Sequence, residues 1–366
     1  MEKLKLFFIS LLLLPAFASS CQNNNAKMVG LAKNSKQRMG TEKFYWQENI
    51  NSPLGYPVEV YRGGLEDADG GYISLSIGPN TSNWGDLGSG MSSGVKAVPN
   101  RLNVIWISYA ENVFYDIDTL IDYDKMVELF KEGYQEDNSK WGRRKVEYDV
   151  ILVGFAPGGI IVVWLAGAGK QVEIGRYQAS PIKIPQEEID RLDSHEKLLF
   201  NEANVKRIMA RESYVPLEVQ RANAGKPIPF GLWDTYRKKY DWNIDFKIAE
   251  KGKVERLSYA LFNGERAAVF PENLPEKNNE NRALPKWISA RWRDETGQLH
   301  SGLIEFDEAE IFKAFSHIYD KEQGQKVTFE LAVNKTNTFI TASLKSEGQT
   351  IALKENKVNV FEQGVK

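Results

Sequence analysis

The hydrophobic pattern is strongest in residues 148–177, where no charge occurs from residue 150 to residue 169. Length alone would allow a membrane-spanning helix. However, a Pro-Gly-Gly turn signal at residues 157–159 divides the stretch, its flanks are rich in Val and Ile, and a Gly-Lys pair at residues 169–170 marks a second reversal. These features favour three short strands over one helix. The pattern therefore predicts a buried antiparallel meander.

Periodicity predicts further elements on both sides of the meander. Strands are predicted before it at residues 44–49, 57–62, 72–77 and 102–109. Met126 and Phe130 share one face after Asp122, a suitable N-cap, and predict a helix over residues 122–134. An apolar stripe among charges predicts a helical connector over residues 185–214.

The second half of the chain repeats features of the first half at a nearly constant separation. The aligned positions, at shifts of 186 or 185 residues, are 57–60 with 243–246, Leu75 with Leu261, Pro99 with Pro285, Trp106 with Trp292, Asp122 with Asp307 and Phe130 with Phe315. The meander falls opposite residues 327–353, where polar and apolar residues alternate. We interpret this as an internal repeat, with chance similarity between strands of the same period as the alternative.

These patterns predict an α+β fold of two similar, mostly antiparallel β domains, each with one packed helix, joined by a helical connector. The length of 366 residues agrees with more than one domain of about 100–200 residues. The predicted order is a signal peptide at 1–20, a lipidated flexible tether at 21–40, a first repeat at 41–182, a helical and Pro-rich connector at 183–238, and a second repeat at 239–366.

The N-terminus has the pattern of a bacterial secretory signal. Lys3 and Lys5 precede an apolar run at residues 6–14, and small residues lead to Cys21, the only cysteine of the chain. The Ala-Ser-Ser-Cys ending at residues 18–21 resembles the lipobox, in which the cysteine is alkylated by diacylglycerol and becomes the new amino terminus. The alternative is an ordinary signal peptide followed by an unmodified cysteine.

Lipid on Cys21 would anchor the domain to a membrane without a spanning helix. The polar residues 22–38 lack periodicity and predict a flexible tether. By resemblance to enterobacterial lipoproteins, Gln22 after the cysteine favours export to the outer membrane, on its periplasmic side.

Net charge argues against a nucleic-acid-binding protein, and cysteine content argues against a disulfide-stabilised one. The chain has 47 basic and 49 acidic residues, a net charge of −2 that gives no electrostatic footprint for nucleic acid. A single cysteine allows no disulfide framework, so packing must stabilise the fold.

Motifs for catalysis or metal binding are weak. The G-x-S-x-G pattern around Ser92 matches a hydrolase nucleophile elbow, but loop-like sequence surrounds it where the elbow needs a strand and a helix. His195 has Leu199 where a zinc-binding H-E-x-x-H motif places its second histidine. The acidic groups at residues 66–71 and 116–124 lack the calcium-loop spacing. We therefore predict no catalytic residue, no metal site and no cofactor.

One aromatic and basic segment, residues 230–242, is a candidate for binding a protein partner. It contains Trp233, Tyr236, Arg237 and Tyr240, residue types that are enriched at the energetic centres of interfaces. The alternative is that Trp233 and Tyr236, at helical spacing, pack one repeat against the other.

Several segments together resemble a known bacterial family. They are Gly-Tyr-Pro-Val-Glu-Val-Tyr at 55–61, Pro-Asn-Arg-Leu at 99–102 with Trp106, the glycine-containing turn at 154–159 and Gly-Leu-Trp at 231–233. The combination is similar to lipoproteins of domain-of-unknown-function family 2931, over residues 44–242. Some such proteins look like neighbours of antibacterial phospholipase effectors of the type VI secretion system, which implies an immunity role by association.

The leading hypothesis is thus a non-enzymatic protein-binding lipoprotein of the outer membrane, whose partners are the membrane through Cys21 and a protein effector, without nucleic acid. The alternative is an envelope hydrolase that uses Ser92 or an acidic site, or a lipoprotein that binds a small ligand.

Overall fold

The computed structural model describes residues 42–138, 142–249, 251–273, 280–321 and 326–362. Within these ranges, twenty-two strands occur with six α-helices, and most strand pairs are antiparallel. The predicted α+β class is confirmed. None of the described helices is both long and apolar enough to cross a membrane.

The described part of the first half contains twelve strands and one helix. Its elements are β1 (Lys43–Asn51), β2 (Val58–Glu66), β3 (Tyr72–Ser74), β4 (Ser93–Ala97), β5 (Arg101–Ser108), β6 (Val113–Leu120), α1 (Tyr123–Glu132), β7 (Tyr134–Asn138), β8 (Gly142–Val146), β9 (Val150–Ala156), β10 (Ile160–Ala166), β11 (Gln171–Gln178) and β12 (Ser180–Ile182). The predicted helix is confirmed, since the Asp122 side chain accepts a hydrogen bond from Lys125 N (3.1 Å) and caps α1. Sequence patterns missed β4, β6, β7, β8 and β12.

The connector is a series of short helices. These are α2 (Gln186–Arg191), a 3₁₀ helix (Glu196–Phe200), α3 (Glu202–Ala210), α4 (Leu217–Asn223) and α5 (Leu232–Thr235). Polar side chains lie at two of the breaks. Asp193 Oδ1 accepts from Glu196 N (2.8 Å) in the turn before the 3₁₀ helix, and Asn201 Oδ1 accepts from Asn204 N (3.1 Å) as the N-cap of α3. The predicted helical stretch at 185–214 is therefore interrupted.

The second half follows, with ten strands among its described residues. Its elements are β13 (Tyr240–Lys247), β14 (Lys253–Leu261), β15 (Arg266–Val269), a 3₁₀ helix (Pro271–Asn273), β16 (Glu280–Arg282), β17 (Pro285–Arg293), β18 (Leu299–Glu305), α6 (Glu308–Lys321), β19 (Val327–Val333), β20 (Ile340–Ser346), β21 (Gln349–Leu353) and β22 (Lys357–Glu362).

The strands of each half are connected in the same order. In the first half, β1 lies parallel to β9, which continues into β10 and β11, while β2, β5 and β6 form a second, antiparallel set. In the second half, β13 lies parallel to β19, followed by β20 and β21, while β14, β17 and β18 pair antiparallel. Pairing of β11 with β15 joins the halves in one sheet of order β22-β18-β17-β14-β15-β11-β10-β9-β1-β4. The described residues from 42 to 362 form one compact unit.

Two of the aligned pairs from the sequence occupy matching places in this scheme. Trp106 in β5 and Trp292 in β17 are both buried. Asp122 and Asp307 lie before α1 and α6, where each side chain accepts a backbone hydrogen bond from the first turn.

The alignment of residues 57–60 with 243–246 is wrong at the level of strands. Residues 58–60 begin β2, whereas residues 243–246 belong to β13, the counterpart of β1. The loop of residues 75–92 between β3 and β4 is longer than the segment between β15 and β16. A single constant shift therefore cannot align strands on both sides of it.

The apolar stretch at residues 148–177 is buried on both faces of the sheet. Ile151 and Val153 pack in the core of the first half, whereas Leu152 and Trp164 pack in a core shared with the second half. Because both faces are covered, apolar residues occupy consecutive positions. The predicted antiparallel meander of three strands is confirmed.

Candidate functional site

Glu48 is a buried carboxylate on the inner face of β1, two residues after Trp46. Its Oε1 accepts hydrogen bonds from the backbone N–H groups of Met91 (3.0 Å) and Ser92 (2.7 Å). Its Oε2 accepts from Ser92 Oγ and Lys96 Nζ, both at 2.8 Å. We call Glu48, Met91, Ser92 and Lys96 the Glu48 cluster. It ties β4 and the loop before it to β1.

The electrostatics of the Glu48 cluster favour its charged form. Burial alone would raise the pKa of Glu48, but the hydrogen bonds from Lys96 and Ser92 outweigh burial and hold the pKa below its ordinary value. Lys96 Nζ lies 4.2 Å from the ring centroid of Trp46, whose Nε1 donates to Lys96 O (3.3 Å). The lysine is therefore held by a carboxylate and by an aromatic face.

Ser92 does not lie in a nucleophile elbow. A loop precedes it, and the chain enters β4 at Ser93 without forming a helix. Ser92 Oγ donates to Glu48 (2.8 Å), and a carboxylate with a lowered pKa is a weak base. Lys96 is paired with the same carboxylate (2.8 Å). We therefore assign Ser92 to the support of β4.

The acidic groups noted in the sequence form a turn and a helix cap. Asp67 Oδ1 accepts from the backbone N–H groups of Asp69 and Gly71, both at 2.9 Å. Asp122 caps α1, and Asp118 is paired with Arg101. In the part of the chain that the structure describes, no group of three or more His, Cys, Asp or Glu side chains could hold a metal ion.

β4 is the last strand at one end of the ten-stranded sheet, and no described strand pairs with its outer side. Val98, directly after β4, donates its backbone N–H to Glu42 O (3.0 Å) and so faces β1. Backbone groups alternate in direction along a strand, so the N–H and C=O groups of Ser93, Val95 and Ala97 face away from β1. None of the described strands pairs with these outward groups, so the three residues present an open ladder.

Large apolar side chains are exposed beside this ladder. Val95 is 70% exposed and its partner in β1, Tyr45, is 55% exposed. Directly opposed residues of an antiparallel pair place their side chains on the same face. Met91, in the preceding loop, is 61% exposed. We call these three side chains, together with the outward backbone groups of β4, the β4 edge.

A second candidate site lies between the connector and the outer face of the β2–β5–β6 sheet. Ile107 and Tyr109 pack against Leu199, Val205 and Ile208, which holds the connector over the sheet. Beside this cluster is a cavity of about 500 Å³, within the range of about 300–1,000 Å³ typical of small-molecule sites. We call this space, lined by β2, by the loop after β3 and by the connector, the connector cavity.

Glu59 of β2 lines the connector cavity. It accepts a hydrogen bond from Tyr109 Oη, and it forms no ion pair among the described residues. Burial raises the pKa of Glu59, and the hydrogen bond from Tyr109 and the charge of His195 only partly oppose this. Burial also raises the pKa of Tyr109, so its phenol remains a donor. Among the described residues, the Glu59 carboxylate therefore has a hydrogen-bond donor but no ion-pair partner.

Two arginines of the connector line the same cavity. Arg207 donates from Nε (3.2 Å) and Nη2 (2.6 Å) to Oδ1 of buried Asn204. Asn204 Nδ2 in turn donates to Leu198 O (2.9 Å). The guanidinium carbon of Arg211 lies 5.2 Å from the ring centroid of Tyr214. Both arginines are thus oriented by neighbouring side chains.

The predicted partner-binding residues lie mostly in the core. Trp233, Tyr236 and Tyr240 are buried among residues of both halves. Arg237 pairs with Glu173 of β11 at 2.6 Å. A buried ring offers no contact area to a partner. This corrects the prediction that the three aromatic residues form an exposed binding surface, and packing between the halves accounts for them.

The predicted lipidation site, Cys21, lies outside the described residues.

A family model described as "Protein of unknown function (DUF2931)" matches residues 26–231, more than half of the chain, and confirms the predicted family. No curated protein and no solved structure gives a significant match. The matched range contains both the β4 edge and the connector cavity and ends before β13.

Proposed function

The chain belongs to the DUF2931 family of proteins of unknown function, and from this premise we propose that it is a lipoprotein that binds a protein partner without catalysing a reaction. In this proposal, lipid on Cys21 anchors it on the periplasmic side of the outer membrane. The lipobox-like ending and Gln22 support the anchor and its destination. The proposed partner is a phospholipase effector of the type VI secretion system, and the support is the family resemblance.

The observation that carries the binding proposal is the β4 edge. Unpaired N–H and C=O groups along an edge strand are a template for an added strand. A charged residue that points inward normally discourages such pairing. Here Glu48 neutralises the inward-pointing Lys96 (2.8 Å), so this protection is absent. Val95 and Tyr45 add exposed apolar area next to the ladder.

We propose that the occupant is an extended segment of the effector with alternating apolar residues. Its main chain would pair with Ser93, Val95 and Ala97, and its apolar side chains would contact Val95 and Tyr45. The Glu48 cluster fixes β4 before the partner arrives, which reduces the ordering cost of binding.

A proline at position 95 tests this mode of binding. It removes an N–H that faces away from β1, so the β1–β4 pairing should be retained. Val95→Thr is the matched control, because it keeps the N–H and nearly the same shape. We expect cells that produce Val95→Pro to lose protection against kin armed with the effector, and cells that produce Val95→Thr to keep it.

Survival is compared at equal amounts of each variant in the membrane fraction, beside a strain that lacks the protein. Equal protection by both variants contradicts docking at the β4 edge. Equal survival of the strain that lacks the protein contradicts the immunity role. If sedimentation of the full chain in detergent shows a dimer that Val95→Pro abolishes, the edge binds a second copy of this chain.

We also propose that the two halves arose by internal duplication. The support is their common order of connections, including the parallel pairs β1–β9 and β13–β19. In both halves, a cationic side chain also lies over the tryptophan of the first strand. Lys96 Nζ lies 4.2 Å from the ring centroid of Trp46 in β1, and the guanidinium carbon of Arg282 lies 4.3 Å from the ring centroid of Trp242 in β13. Sequence profiles built from homologues of each half should detect the other half, and profiles that fail to do so would favour convergence.

A further inference from the structure

We propose that the connector cavity binds a small phosphate ester that also carries an amine, with the ammonium group at Glu59 and the phosphate at Arg207 and Arg211. The cavity lies on the outer face of the β2–β5–β6 sheet, and the β4 edge belongs to the other sheet. The inference therefore does not depend on the proposed function.

The ammonium end of the ligand follows from the surroundings of Glu59. Its carboxylate has Tyr109 as a hydrogen-bond donor but no cation within ion-pair distance among the described residues. An ammonium group placed there would supply the missing counter-charge and stabilise ionised Glu59.

The phosphate end follows from the two arginines. Guanidinium groups match phosphate oxygens with two parallel hydrogen bonds, and two such groups suit a doubly charged phosphate better than a carboxylate. Asn204 uses Nε and Nη2 of Arg207, which leaves Nη1 to donate to a ligand. Arg207 and Arg211 form no ion pair among the described residues.

Both charges must belong to one ligand for the site to be satisfied. A free anion at the arginines would be repelled by Glu59, and a free amine at Glu59 would be repelled by the arginines. A molecule with both groups gains at each end. A cavity of about 500 Å³ has room for such a molecule with part of a glycerol unit.

Calorimetric titration of the full chain in a non-ionic detergent tests the site with phosphorylethanolamine. Ethanolamine and inorganic phosphate are titrated separately. We expect saturable binding of phosphorylethanolamine, at least about tenfold tighter than either part alone, since each end contributes a charge-assisted hydrogen bond.

Two variants test which residues contact the ammonium group and which contact the phosphate group of the ligand. Glu59→Gln keeps an acceptor for Tyr109. It should weaken the binding of phosphorylethanolamine about tenfold or more without weakening the binding of inorganic phosphate. Arg207→Gln, at an exposed position, should weaken the binding of phosphorylethanolamine and of inorganic phosphate by a similar factor. Arg191→Gln is the control, because Arg191 is an exposed connector residue outside the cavity.

The outcomes separate the possibilities. No saturable heat with phosphorylethanolamine overturns the proposal, as does binding that neither variant changes. Phosphate that binds as tightly as phosphorylethanolamine overturns the ammonium assignment. The source is decided by vesicles of phosphatidylethanolamine and of phosphatidylglycerol. Binding that prefers the former and is lost in Glu59→Gln points to a lipid headgroup, and binding of phosphorylethanolamine alone points to a soluble metabolite.

Discussion

Replacing Glu48 by Gln should destabilise the protein although the side chain keeps its size. The carboxylate accepts hydrogen bonds from two backbone N–H groups, from the Ser92 hydroxyl and from the Lys96 ammonium group. Gln loses the negative charge opposite Lys96, and its own NH₂ group must face one of these donors. Lys96 then keeps only its hydrogen bonds to Ser92 O (3.1 Å) and Ser92 Oγ (3.3 Å) and loses its counter-charge, and at least one buried donor is left without an acceptor.

The expected loss in the free energy of unfolding follows from the burial of the Glu48–Lys96 pair. Breaking a buried ion pair by removal of one partner costs about 3–5 kcal/mol. The Lys96 side chain is 18% exposed and keeps its contact with the Trp46 ring. We therefore expect the lower end, a loss of about 3 kcal/mol in the free energy of unfolding.

Urea unfolding of the full chain measures this change, with Glu48→Gln, Lys96→Gln and the double variant forming a thermodynamic cycle. The double variant should lose less than the sum of the single losses, with a coupling of about 1–3 kcal/mol. A loss below about 0.5 kcal/mol in Glu48→Gln, the range of ordinary surface changes, would refute the reasoning. Additive single losses would show that the pair is not coupled.

The same cluster predicts the sign of a pH effect. The folded pKa of Glu48 lies below its ordinary value of 4.5, so the cluster contributes its full stability above pH 4.5 and loses it as the pH falls through the folded pKa. Ser92 and the backbone donors of the cluster do not titrate. The stability difference between the wild type and Glu48→Gln should shrink below pH 4.5.

Two further predictions concern the anchor and the shared core. Cys21→Ala should move the protein from the membrane fraction to the soluble periplasmic fraction, because the lipid is lost, and retention on membranes after a high-salt wash would contradict this. Trp233→Ala should cost about 3–5 kcal/mol of stability because Trp233 is buried. Phe230→Ala, at a residue that is 63% exposed, should change stability by less than about 0.5 kcal/mol in the same urea assay, and equal effects would contradict the packing assignment.

The elements that sequence analysis predicted are those whose residues follow one clear period. The meander and α1 have long apolar runs or a capped three-four spacing, so local pattern and tertiary structure agree. β4 has no such pattern, since it starts in Gly- and Ser-rich sequence and is covered on one side only. An edge strand of this kind is defined by its partner β1, which a local pattern does not contain.

The two candidate sites were missed because both depend on tertiary pairing. Strict alternation in β1 would have placed Glu48 on the same face as buried Trp46 and Ile50, which is a signal for a buried carboxylate. Nothing in the sequence near Glu59 indicates the connector, which folds back over it from residues beyond 190. The aromatic segment at 230–242 had the composition of an interface, but the interface it forms lies within the chain.

The second half completes the buried surface of the first half, although the family match ends at residue 231. Trp164 of β10 donates from Nε1 to Asn263 O (3.2 Å), and Gln171 of β11 donates to Gly264 O (2.7 Å). Gly85 approaches Gly264 so closely that a Cβ on Gly85 would lie 2.3 Å from the Gly264 Cα. An added methyl group would therefore force the two backbones apart. The consecutive apolar residues of β9 and β10 require a cover on this face, and in this chain the second half provides it.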